Sequence, residues 1–175
     1  KDVSWSAASG SKIGIVGRTG SGKSTTIMAL MRLYAHGPGG TITMGGADIS
    51  KLPLSTLRDQ IALIQQEPHL FAGTVRFNLD PWGRYSDAEI EEVLAAVQLK
   101  DASLGGDGSS KSTRGLAAEV SESGANLSVG QRQLLSLARA MLKKSPVILM
   151  DEATANVDYQ TDSFIQNLLR ENKMF

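Results

Sequence analysis

Ile27, Leu30, Met31 and Tyr34 recur at i, i+3, i+4 and i+7, which predicts a helix over residues 25–34 with one face buried. The Gly- and Pro-rich residues 36–40 end it. The helical period returns at Ile90, Val93, Leu94 and Val97, then at Leu134, Leu135, Ala138, Met141 and Leu142, and last at Phe164, Ile165, Leu168 and Leu169. Capping boxes open the first two of these, Ser86-Asp87-Ala88-Glu89 and Ser128-Val129-Gly130-Gln131. Asp158 or Thr161 opens the last, and residues 54–60 read as a short helix. Short apolar runs predict strands: Val3 to Trp5 at an edge, then Ile13, Ile15 and Val16, then Ile61-Ala62-Leu63-Ile64. Val147-Ile148-Leu149-Met150 has the unbroken apolar form of a fully buried parallel strand. Residues 41–49, centred on Gly45-Gly46, read as a β-hairpin. Residues 101–124, rich in Gly, Ser and charge, read as an extended surface segment with few anchors, and 105–113 as a plain disordered loop.

Strands separated by helices give an α/β fold with a mostly parallel central sheet and an N-terminal antiparallel β part. The helical block would be an inserted subdomain. The expected divisions are residues 1–70 for the core and β part, 71–127 for the helical subdomain and 128–175 for the final helices and strand. The length of 175 residues suggests one domain, and 41% hydrophobic residues are enough for its core. A formal net charge of zero removes any global pull toward nucleic acid or an anionic membrane. The absence of cysteine excludes a disulfide framework and a thiolate zinc site. No apolar run approaches the ~18 residues of a membrane span, and no signal peptide is evident. The chain starts at Lys1 without a Met and stops at Phe175 inside a helical pattern, so it reads as a piece of something longer.

Candidate chemistry begins at Gly17-Arg18-Thr19-Gly20-Ser21-Gly22-Lys23-Ser24, which reads G-x-x-x-x-G-K-S. Its glycines let the backbone curl so that successive N–H groups can face one phosphate chain, and the helix that follows presents unpaired N–H donors. Lys23 would place an ammonium on the β- and γ-phosphates, and Ser24 a hydroxyl on Mg²⁺. Asp151, after four apolar residues, can hold a water of the Mg²⁺ shell, and Glu152 beside it can orient or deprotonate an attacking water. The plain alternative is that both acids cap a loop. Gln66, at the end of another strand, could touch Mg²⁺ or that water, although a loop glutamine alone is usually just solvated. Ser128 and Gln131 are explained by capping; Gly130 in a first helical turn is less expected, and a bare helix start there suits close approach by a phosphate. In parallel sheets ligands bind at the carboxyl ends of strands, where the phosphate loop and Asp151-Glu152 both fall.

Together these residues resemble the nucleotide-binding domains of ABC transporters over nearly the whole chain. Residues 17–24 resemble the Walker A motif, Gln66 the Q-loop glutamine, and Leu127-Ser128-Val129-Gly130-Gln131 the signature motif, which other P-loop families lack. Residues 147–151 with Glu152 resemble Walker B and its catalytic glutamate, and Ala155-Asn156-Val157-Asp158 the D-loop. Finer likeness, around residues 13–20 and 126–133 and at Asn78-Leu79-Asp80-Pro81, is to the second such domain of C-subfamily, multidrug-resistance-associated exporters. The resemblance implies ATP and Mg²⁺ as cofactors, with residues 17–24 and Thr25 on the nucleotide and Lys23 and Glu152 as the catalytic pair. Ser24, Gln66 and Asp151 would serve the metal. It further implies head-to-tail pairing with a second nucleotide-binding domain, in which Ser128, Gly130 and Gln131 contact the partner's ATP. Transmembrane domains and a place at the cytoplasmic face of a membrane follow, with no nucleic-acid partner. Val129, where the motif usually has glycine, implies that this signature serves the weaker of two sites.

The family's adenine-stacking aromatic would lie upstream of Lys1 and its switch histidine downstream of Phe175. Trp5 reads as a strand residue on the core, and His36 and His69 as ordinary surface residues. Export driven by ATP hydrolysis is the leading reading. A soluble ABC ATPase acting on DNA or ribosomes would need a basic surface or long coiled-coil insertions, and neither is visible. A regulatory domain without turnover is a further alternative, against which Glu152 argues. A P-loop small-molecule kinase leaves residues 127–131 and Gln66 unexplained.

Overall fold

The computed structural model describes residues 3–34, 39–100, 104 and 115–171. Contacts divide the chain into two units, Lys1–Ser50 and Lys51–Phe175.

In the first unit, helix α1 (Lys23–Leu30) starts directly after Gly22. It ends four residues before the apolar period does. Arg32 takes a left-handed conformation (φ 51°), its N–H donates to Ala29 O at 3.0 Å, and Leu33 N–H donates to Met28 O at 2.9 Å. These paired bonds satisfy the last carbonyls and close the helix. The expected buried face is not seen: no residue of α1 is buried, and Tyr34 is 57% exposed. Strands β1 (Thr43–Met44) and β2 (Ala47–Asp48) form the predicted hairpin, with Thr43 opposite Asp48 and Met44 opposite Ala47. Gly45 (φ 57°) and Gly46 (φ 80°) supply the positive φ at both central positions that such a two-residue turn requires.

The strands expected at residues 3–5 and 13–16 do not form. A strand exists only as part of a ladder, and neither segment has a pairing partner among the described residues. Ile13, Ile15 and Val16 are exposed, and Trp5, expected on the core, is half exposed.

The second unit carries the main core. Helix α2 (Leu54–Asp59) leads into strand β3 (Ile61–Ile64), which lies parallel to β6 (Val147–Met150) with Ile64 opposite Met150. Between them in sequence come β4 (Gly73–Thr74), α3 (Val75–Leu79), α4 (Asp87–Ala96), β5 (Glu119–Val120) and α5 (Val129–Lys143); α6 (Tyr159–Glu171) follows β6. The parallel pair joined through helices makes the class α/β. The apolar stripes of α4 and α5 meet in one cluster that includes Ile90, Leu94, Leu135, Leu137, Met141 and Ile165. β6 is half-buried along its length rather than fully buried, because β3 is its one ladder partner among the described residues.

Residues 101–124 also depart from expectation where they are described. Leu104, Ala118, Val120 and Gly124 are buried, β5 pairs antiparallel with β4, and Val75 N–H donates to Ala118 O at 2.9 Å. These backbone bonds anchor the segment to the start of α3. His36 and residues 105–113 lie outside the described residues, and His69 is exposed.

Candidate functional site

The phosphate loop is shaped by its own backbone. Ser21 N–H donates to Arg18 O at 3.0 Å, closing a turn around Thr19 and Gly20. Gly20 (φ 81°) and Gly22 (φ 99°) stand where L side chains are strained. A Cβ on Gly17 would strike the Ser21 hydroxyl, so the loop folds back tightly on its first glycine. The Lys23 ammonium donates to Gly17 O at 3.0 Å and spans the loop from end to end. Gly22 caps α1 and has no side chain of its own to bond the first-turn N–H groups. Gly17, Arg18, Thr19, Gly20 and Ser21 are exposed, as is Thr25, while Lys23 and Ser24 are half-buried. A helix start, a cationic side chain across the loop and glycines in its turns have the chemistry of an anion cradle.

In the second unit the register of β3 and β6 decides which residues share an edge. Both strands run the same way, and Asp151 N–H donates to Ile64 O at 3.0 Å, one step beyond the last pair. Gln65 and Gln66 therefore leave the sheet at the same carboxyl edge as Asp151 and Glu152. Glu152 takes a left-handed conformation (φ 46°), which turns the chain sharply after β6, and its side chain is exposed. Gln66 is exposed as well.

The start of α5 is the capping box expected from sequence. Gln131 N–H donates to the Ser128 hydroxyl at 3.1 Å, and Ser128 N–H to the Gln131 side-chain oxygen at 2.9 Å. Gly130 is buried, and a Cβ there would lie 3.1 Å from the Thr161 hydroxyl and 3.3 Å from its methyl. Close packing of α6 thus supplies a reason for this glycine besides access for a phosphate. Thr161 is held by Asp158, whose carboxylate accepts its hydroxyl at 2.7 Å and its N–H at 3.0 Å and so caps α6. Those bonds hold the Asp158 carboxyl below its ordinary pKa.

Sequence reading did not single out the contacts from α5 to the chain around β3. Gln133, 2% exposed, donates to Gln65 O at 3.2 Å. Arg139 donates to Asn78 O at 2.9 Å and His69 O at 3.2 Å. The available signal was a polar side chain four residues before Leu137, on the face of α5 that also carries Ser136 and Ala140.

The donor chemistry suits the expected metal. In the first unit Ser24 offers a hydroxyl, and in the second Gln66 offers an amide carbonyl and Asp151 a carboxylate; each is a hard oxygen donor of the kind Mg²⁺ takes. Among the described residues no cluster of three or more His, Asp or Glu forms an all-protein metal cage.

The family described as ABC transporter matches residues 1–155. The multidrug resistance protein mrp-7 of Caenorhabditis elegans is 48% identical over 170 residues, covering 97% of this chain and 11% of that protein. ATP-binding cassette sub-family C member 2 of Rattus norvegicus is 44% identical over 171 residues, covering 98% of this chain and 11% of its own. ABC transporter C family member 5 of Arabidopsis thaliana is 50% identical over 161 residues, covering 92% and 10%. The chain spans only 10–11% of the length of these relatives.

Proposed function

Because the chain belongs to the ABC transporter family, we propose that it binds and hydrolyses ATP as a nucleotide-binding domain that powers export across a membrane. The observation that carries the reading is the phosphate loop, with Lys23 braced on Gly17 O at 3.0 Å and a left-handed glycine, Gly22, at the cap of α1. In this reading the backbone of residues 17–24, with Thr25, holds the phosphate chain, and Lys23 shifts its ammonium from the loop carbonyl toward the β- and γ-phosphates. Ser24, Gln66 and Asp151 would hold Mg²⁺ and its waters. When bound, Mg²⁺ supplies charge neutralisation on the phosphate oxygens. Glu152, at the turn after β6, orients the attacking water and accepts its proton, a contribution of about 10²–10⁴-fold.

The likeness to C-subfamily relatives supports an exporter of that kind, and the motif likeness at residues 13–20, 78–81 and 126–133 supports a place as its second nucleotide-binding half, at the cytoplasmic face. The proposed partners are a first nucleotide-binding half, paired head to tail, and transmembrane domains. Ser128, Gly130 and Gln131 would face the ATP held by that half, and Val129 assigns this signature to the weaker site. The proposed divisions are residues 1–70, 71–127 and 128–175.

Glu152→Gln in the full-length protein tests the catalytic assignment. It is expected to keep ATP binding and lose turnover by about 10²-fold or more. Undiminished turnover would remove Glu152 from the mechanism.

A further inference from the structure

We propose that Gln133 is a positioning residue that sets the direction of Gln66 and couples it to the signature helix. The inference rests on the metal role proposed above for Gln66. Helix α5 lies antiparallel to β3: Gln133 near its start reaches Gln65 O after the strand, and Lys143 at its end donates to Arg58 O and Ile61 O at 2.6 Å each. The start of α5 is thereby held at the carboxyl edge of the sheet, with Ser128 five residues ahead of Gln133. The acceptor is informative. The Gln65 carbonyl and the Gln66 N–H belong to one planar peptide unit, so a donor that fixes the carbonyl fixes the plane from which Gln66 departs. Gln133 is 2% exposed, on a helix whose other buried side chains are mainly Leu, Ala and Met. A primary amide buried there is unfavourable unless it is hydrogen-bonded, and an apolar residue would fill the space without that demand. What the amide adds is the bond to Gln65. A displacement of the α5 start on engagement with a partner is transmitted through that bond to Gln66.

The test is the Mg²⁺ dependence of ATP hydrolysis by the full-length protein, measured for Gln133→Leu, Gln66→Ala and the double variant. Gln133→Leu keeps the bulk and deletes the donor; Gln133→Glu keeps the shape and serves if the first variant does not fold. Loss of a group that orients a metal ligand commonly weakens metal affinity by about 10–100-fold, so both single variants should need at least tenfold more Mg²⁺ for half-maximal rate. The double variant should be no worse than Gln66→Ala, and nucleotide binding without Mg²⁺ should stay within twofold of wild type. A shift with Gln66→Ala but none with the Gln133 variants would overturn the positioning role. No shift with Gln66→Ala would overturn the metal role of Gln66 itself, and the positioning role with it. A Gln133 shift that adds fully to that of Gln66→Ala would make the effect independent of Gln66 and also overturn the proposal.

Discussion

Asp80 shows how a buried charge is held in this chain. It is 4% exposed at the end of α3, where burial alone would raise its carboxyl pKa. Backbone N–H groups of Tyr85, Arg84 and Trp82, with the Arg76 guanidinium, outweigh that and keep it below its ordinary value. A carboxyl depressed by folding stabilises the fold in full above the unfolded pKa, about 3.9. That contribution is lost as pH falls through the lower folded value. Asp80→Asn should therefore flatten the loss of stability between pH 5 and 2, relative to wild type, in urea unfolding; an unchanged acid limb would contradict it. The tight turns at Gly20 and Gly22 were legible in the sequence, because glycine at those places marks a positive φ. Gly130 was legible only in part, since its contact with Thr161 joins residues on different helices, which no local pattern encodes.

The capping boxes of α4 and α5 could be read directly, because S-x-x-E and S-x-x-Q are local and both bonds of each box are present. Ser128→Ala should cost about 1 kcal/mol and Ser86→Ala a similar amount, by the loss of one capped N–H. Thermal unfolding of the two variants checks this, and a neutral effect at Ser128 would mean the cap is redundant. The β4–β5 pair was missed for the converse reason. Two-residue strands have no room for alternation, and their register is set by partners far apart in sequence. The segment at residues 13–16 failed in the opposite direction: its apolar run is genuine, but a strand also needs a ladder. Helix α5 packs deepest, and Leu137→Ala should destabilise by about 2–5 kcal/mol, because Leu137 is 1% exposed within the main core.

Apolar burial is unequal between the two units. The second gathers its helices and the β3–β6 pair around one cluster, whereas the first exposes Val3, Trp5, Ile13, Ile15, Val16, Leu33 and Tyr34 and fully buries Ile49. Segments with few buried contacts open at lower free energy. Hydrogen exchange should therefore protect the amides of β3, α4, α5 and β6 more strongly than those of residues 3–34; equal protection would contradict this distribution. The α/β class and the elements α1, β1, β2, α2, β3, α4, α5, β6 and α6 followed from alternating periods and punctuation, whereas β4, α3 and β5 did not. Burial did not, because it depends on which elements meet.

The most direct test of the proposed ATPase is equilibrium binding of Mg-ATP to the full-length protein and to its Lys23→Ala variant. The loop geometry predicts saturable binding that Lys23→Ala weakens at least tenfold, since the variant deletes the cation braced across the cradle. Binding of equal strength in both proteins would contradict the assignment of residues 17–24 as the phosphate site, and with it the mechanism built upon them.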